Sequence, residues 1–260
     1  LTLPSGAAFL LDTYTGAAAG YSTRRIASSA TNLMRIREDS GDTETDIGYD
    51  ANGDLDTAAI ATHCGTANGY VVTWYDQSGN ANNATQSTTR LQPQIYNGTA
   101  VITENGKPCV VSGVPIRATS QALNVSQALN SSTWIFSVLT GEGSFPLAYQ
   151  GDASGDFVLA GQNGVTTSHA GNVSSLSLYK NGASWSATTR DDVFDAVNGV
   201  QNLITLDGNF SSWTSLSFGY PASNGPNMYR HQETVVWTTD QSSNRTGIET
   251  NINTYFSIYS

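Results

Sequence analysis

What most constrains this chain is a recurrence of short β-rich runs, each fenced by turn residues. The runs at 133–139, 157–159, 175–179, 202–206, 215–218 and 234–237 are rich in Val, Ile, Leu, Phe and Trp, and clusters of Gly, Asn and Asp separate them. Strands at that density, with no helical pattern between them, predict an all-β, antiparallel β-sandwich of the jelly-roll type. Upstream, GYVVTWYDQSGN at 69–80 repeats the theme: a run of pleat-filling residues stops in polar turn chemistry.

Turn signals extend the pattern. Asn97-Gly98 lies between two short apolar runs and predicts a hairpin, and Asn105-Gly106 predicts another. In the first block, Arg24, Arg25, Arg35 and Arg37 are four of only eleven cations. They are read as pairing across strands with the acidic tract from Glu38 to Asp46, and an anion site is the other reading.

Two helices are expected. Asp56 caps an Ala-rich segment at 57–64 that Gly65 ends. Near the C-terminus, Ile248, Ile252, Tyr255 and Phe256 share one helical face, which predicts a helix docked on the sandwich as a lid. The whole of 1–260 is expected to form one domain.

Composition narrows the function classes. Charged residues make up 12% of the chain, against roughly 25% in ordinary soluble domains. Hydroxyls and amides supply the polarity instead, as in proteins displayed outside cells. A formal charge of −10 argues against nucleic acid, and no run approaches the length of a membrane span. The chain begins at Leu1 without the basic start of a signal peptide, so it is read as a processed or excised piece. Cys64 and Cys109 are either one disulfide or two quiet buried thiols.

Candidate chemistry is sparse. Asp50-Ala51-Asn52-Gly53-Asp54 opens like a calcium loop, but Leu55 and Ala61 stand where Gly and Glu belong, so calcium is the lesser reading and no cofactor is assigned. Asp191, Asp192 and Asp195 are read as a solvated acidic loop before a cation site. Gly161-Gln162-Asn163-Gly164 is read as a turn, and Glu233 as a structural partner of Arg230. His63, His169 and His231 fall in no catalytic constellation.

Several blocks carry a resemblance: YSTRRI, DLDTAAI, TWYDQSGNANNATQ, QPQIYNG, ENGKP, LYKNG and ETVVWTTDQSSNRTGIETNINTYF. Together they resemble concanavalin A-like, LamG-like domains of bacterial secreted proteins and of bacteriophage tail or capsid proteins. They also resemble, more distantly, the catalytic domain of the α-L-arabinofuranosidase B family, glycoside hydrolase family 54. A retaining glycosidase needs two carboxyls roughly 5 Å apart. The resemblance implies a nucleophilic Glu in a YGNAET-like segment after paired cysteines, and an acid/base Asp in a GGDNSNG-like one. The matching stretches here are 149–154, YQGDAS, and 219–225, GYPASNG, which hold one carboxylate, Asp152.

That deficit leads to an expectation of a non-enzymatic surface module. Its leading form is a homo-oligomeric phage virion protein, a fibre or capsid decoration contacting other virion proteins, on the virion surface or outside cells. Glycan or receptor binding is assigned to Tyr149, Asp152, Tyr220 and Asn224, the aromatic and polar residues of those two stretches. The alternatives are a secreted arabinofuranosidase-like glycoside hydrolase and a purely structural assembly domain.

Overall fold

A computed structural model describes residues 9–113, 121–143, 147–151, 155–219 and 227–260. Among the described residues, sixteen strands form one continuous antiparallel network that folds over on itself, and Thr103–Glu104 with Lys107–Pro108 forms a separate pair. In order of pairing the strands are Phe157–Ala160, Leu147–Gln150, Leu216–Gly219, Ala122–Val125, Ala84–Thr85, Asn68–Trp74, Gln94–Asn97, Val110–Ser112, Asn227–Trp237, Thr133–Gly143, Asn202–Asn209, Ser174–Lys180 and Ala183–Ser184. Ala19–Ser22 pairs with Asn227–Trp237, and Met34–Glu38 pairs with both Asn68–Trp74 and Glu44–Ile47. The expected antiparallel sandwich with short helices is the fold observed.

Two apolar layers explain the folding over. Between the facing halves, Tyr21 meets Phe218 edge-on at 5.2 Å, and Tyr149 lies 6.0 Å from His231, although their strands are not paired. The second layer lies on the outer face, where Trp134, Phe136, Val235 and Trp237 are covered by Leu10 and by Ile248, Ile252 and Phe256. Alternation along each strand sends successive side chains to these two layers.

Among the described residues there are four α-helices: α1, Leu10–Thr13; α2, Thr57–Cys64; α3, Arg190–Val197; and α4, Arg245–Phe256. The expected cap on α2 is present, with the Asp56 carboxylate accepting from Ala59 N–H at 2.9 Å and Gly65 leaving the helix at φ +57°. α4 is the expected lid. Its Tyr255 stands half-buried at the margin, with its hydroxyl on Asp54 at 2.6 Å and Arg24 over its ring.

α3 corrects the expectation of a solvated acidic loop at 191–195. Thr189 and Asp192 form a capping box, each side chain accepting from the other's backbone N–H, and Val193 and Val197 are buried. The sequence signal was the Thr-x-x-Asp spacing before an apolar pair.

The YDQSGN turn holds the first strand in place. Asp76 Oδ1 accepts from the N–H groups of Gly20 and Ser78, both at 2.8 Å, and Oδ2 accepts from Asn82 N–H at 3.0 Å. Gln77, buried, accepts from Ile26 N–H at 2.8 Å and donates to Arg24 O at 3.0 Å. These bonds satisfy backbone groups that no strand partner reaches.

The predicted turn at Asn105-Gly106 joins Thr103–Glu104 to Lys107–Pro108, with both turn residues at positive φ. At Asn97-Gly98 the hairpin narrows to a single bridge between Tyr96 and Val101, and Asn97 Oδ1 accepts from the N–H groups of Thr99 and Ala100.

The cations divide differently from the expectation. Arg35 pairs with Asp46 and Arg37 with Asp42, as the acidic-tract reading predicts. Arg24 instead pairs with Glu233, because the register sets Ser22 opposite Glu233, while Arg25 lies over the rings of Phe9 and Tyr49. Arg230, expected to hold Glu233, is bound by Glu142 at 2.6 Å and Glu104 at 3.5 Å. Burial pushes the Glu104 carboxyl up, and Arg230 opposes that shift.

Candidate functional site

A cleft of about 500 Å³ opens where the Thr133–Gly143 strand ends, between the turn at 161–164 and α3. Its lining includes Gln162, Asn163, Phe194 and Asn198, with Gly143 at the strand end. Three amides and one aromatic edge suit hydroxyl-bearing ligands, whose polar rims need paired donors and acceptors and whose carbon faces need apolar cover.

The two walls are tied together. Gln162 N–H donates to Arg190 O at 2.9 Å, Asp191 Oδ1 accepts from Gly164 N–H at 2.6 Å, and Asp191 N–H donates to Val165 O at 3.0 Å. Gly199 N–H donates to Gly141 O at 2.7 Å, which fixes the end of α3 to the strand.

The lining itself holds no carboxylate, and the nearest acids in sequence lie on α3 and beside Gly143. Asp191 and Asp195 are four residues apart on α3, on the face that carries Phe194 and Asn198, and such pairs have Cβ atoms roughly 5–6 Å apart. Asp195 is exposed. Asp192 turns away to cap α3, and the N–H groups of Thr188 and Thr189 bring its carboxyl down to about 2. Glu142, beside Gly143, is engaged with Arg230. No group of three or more His, Cys, Asp or Glu at metal spacing occurs among the described residues. Asp50, which opened the calcium-like stretch, uses Oδ1 to accept from the N–H groups of Asn52 and Asp54.

The residues assigned to glycan contact from sequence fare unevenly. Tyr149 is fully enclosed, with its hydroxyl on Ser137 Oγ at 2.5 Å and Thr234 Oγ1 at 3.1 Å and its ring against Phe218 and His231. Asp152, Tyr220 and Asn224 lie outside the described residues. Their flanks are described: Tyr149 pairs with Phe218 and Gln150 with Ser217, so Gln150 and Gly219 leave opposite ends of that ladder. Gly143 pairs with Asn227, which puts the described flank of the 219–225 stretch at the strand end beside the cleft.

Sequence reading missed Gln162, Asn163, Phe194 and Asn198 as a set. A turn and a helix with residues 165–189 between them carry no shared pattern. The one available signal was the capping box that starts α3.

No protein-family model matches the sequence, and no curated protein matches it. The fold is similar to that of solved structures. One is an arabinofuranosidase complexed with arabinofuranosyl-α-1,2-xylobiose, at 16% identity over 94% of this chain, with a TM-score of 0.63. Another is a GH54 α-L-arabinofuranosidase soaked with a cyclic sulfate inhibitor, at 16% identity over 94% of this chain, with a TM-score of 0.59. This chain spans 64% of the length of each.

The likeness overturns the expectation of a non-enzymatic virion module. Solved structures that share the fold along nearly the whole chain are glycoside hydrolases, which favours the arabinofuranosidase-like alternative. The distant resemblance to that family is met at the level of fold, and none of these structures is a fibre or decoration protein.

Proposed function

We propose that this chain is a glycoside hydrolase domain acting on arabinofuranosyl groups of an extracellular carbohydrate. The observation that carries the reading is the match of fold over 94% of the chain to arabinofuranosidases. An amide- and aromatic-lined cleft beside carboxylates supports it.

The stretches that resemble the family's acid segments hold only Asp152, one carboxyl where the chemistry needs two, so the pair is sought elsewhere in the fold. Asp191 and Asp195 are the pair proposed here, since one helical turn sets their Cβ atoms roughly 5–6 Å apart, within reach of the close carboxyl pair that a retaining mechanism needs. In this reading Asp191, oriented by Gly164 N–H, attacks the anomeric carbon, and the glycosidic oxygen leaves with a proton from Asp195. Water then takes the sugar from Asp191 while Asp195 accepts the proton. Gln162, Asn163 and Asn198 hold sugar hydroxyls, and Phe194 covers the ring's apolar face.

The test is hydrolysis of an aryl α-L-arabinofuranoside. Asp195→Asn is expected to lower kcat by about 100-fold or more, the usual worth of a positioned acid. Asn163→Ala is expected to act mainly on KM. Turnover unchanged in both Asp191→Asn and Asp195→Asn would remove this acid pair. No turnover by the wild type on any aryl glycoside would overturn the hydrolase reading.

A further inference from the structure

A second groove, of about 580 Å³, runs along the edge hairpin formed by Ser174–Lys180 and Ala183–Ser184. Its lining shares no residue with the cleft at Gln162 and Asn198. It lies at the end of the strand order, so its outer side has no further strand of the network to cover it.

The chemistry of this lining is uniform. Trp185 stands half-buried in it on the face of the hairpin that carries Leu178, Ser168 and Thr188 are exposed in the same lining, and Tyr179 and its cross-strand partner Ser184 turn to the opposite face. None of the lining residues is a carboxylate, in a chain that carries a formal charge of −10. Lys180 Nζ lies 5.5 Å from the Trp185 ring centroid and Arg245 lies 4.1 Å from that of Tyr179, so each ring is held by a cation. Trp185 N–H donates to Leu178 O at 2.8 Å, which fixes the backbone behind the ring.

At the inner wall, His169 is buried, its Nε2 bonds to Ala187 O at 3.2 Å, and its Nδ1 has no partner among the described residues. A fixed indole with the exposed hydroxyl residues Ser168 and Thr188 in the same lining forms a surface for a ligand that is apolar on one face and hydroxylated at its rim. No charged residue is part of the lining itself, although Lys180 flanks Trp185, so the contact surface offers an aromatic face and hydroxyls, which suit a neutral ligand.

We propose that this groove is a second carbohydrate-binding surface, one that holds a neutral polysaccharide chain on Trp185 apart from the cleft. It does not depend on the hydrolase reading, because it requires binding alone.

Affinity electrophoresis in gels cast with arabinoxylan, linear arabinan or polygalacturonate tests it. The wild type is expected to be retarded by one or both neutral polymers and not by polygalacturonate. Trp185→Ala is expected to weaken that retardation by about tenfold, the scale of one lost aromatic contact with its area burial. Ser168→Arg, at an exposed position of the same lining, is expected to obstruct the groove and weaken it as well. Hydrolysis of the small aryl arabinofuranoside should be unchanged in both variants if the wild type turns it over. A wild type that no neutral polymer retards, or variants retarded like the wild type, would overturn the proposal. Stronger retardation by polygalacturonate than by the neutral polymers would overturn its specificity.

Discussion

Arg24 and Glu233 form a two-pronged ion pair, with Nε to Oε2 at 2.8 Å and Nη2 to Oε1 at 3.0 Å, between residues 209 positions apart in sequence. Glu233 is fully buried, and Ser22 Oγ donates to it as well at 2.6 Å. The pair joins the N-terminal block to the central Asn227–Trp237 strand. Tyr255 of α4 stacks beneath the guanidinium, so three separate parts of the chain meet at one charge.

Arg24→Met leaves the Glu233 carboxylate buried with its cationic partner removed. The expected loss is about 3–5 kcal/mol, the usual cost of breaking a buried pair from one side. Urea unfolding of the variant checks it, and a change under 1 kcal/mol would show that the pair is better solvated than its burial implies.

His231 should make stability depend on pH. Burial among Tyr149, Phe218 and Tyr229 pushes its pKa down to about 3, and neither ring nitrogen has a hydrogen-bond partner among the described residues. The folded form therefore stays neutral while the unfolded imidazole takes up a proton below its ordinary 6.5. Stability is fully present above that value and falls as pH drops from 6.5 towards 3, by about 1.4 kcal/mol per unit. Comparing urea midpoints at pH 7 and pH 5 for the wild type and His231→Leu tests this. The variant should lose most of the difference, leaving the smaller share from His169, whose pKa burial also lowers.

Tyr149→Phe separates a core role from a ligand role. Its hydroxyl leaves behind Ser137 Oγ and Thr234 Oγ1, which remain bonded to each other at 2.7 Å. The expected cost is therefore about 1 kcal/mol, that of one ordinary hydrogen bond. Retardation by neutral polysaccharide should be unchanged. A loss of binding without a loss of stability would return Tyr149 to the ligand surface.

Cys64 and Cys109 are free thiols, both buried. Burial pushes them up to about 11 and about 12, which removes the reactive thiolate at neutral pH. A thiol reagent such as a disulfide dye should label neither in the native protein and two per chain in denaturant. Fast native labelling of either would contradict this burial.

The legible part of this protein is local. Strand runs, the Asp56 cap and Gly65 stop, the Asn105-Gly106 turn and the α4 stripe each depend on spacings within a few residues, and each is present in the fold. α3 was readable in principle from Thr189 and Asp192, but the acids around them drew the reading towards a loop. The reading of Glu233 and Arg230 as partners failed for a different reason. Proximity in sequence gave them to each other, whereas strand pairing gave Glu233 to Arg24 and Arg230 to Glu142.

The amino-acid order by itself determined an antiparallel, turn-rich sandwich with a capped helix and a C-terminal lid, because backbone periodicity and turn chemistry act between near neighbours. Tertiary structure alone decided that Gln162 and Asn163 face Phe194 and Asn198, that Tyr149 is spent in the core, and that Trp185 and His169 share a groove. Those contacts join residues whose separation in the chain leaves no periodic trace. They exist only after both apolar layers have closed and fixed which strand lies beside which.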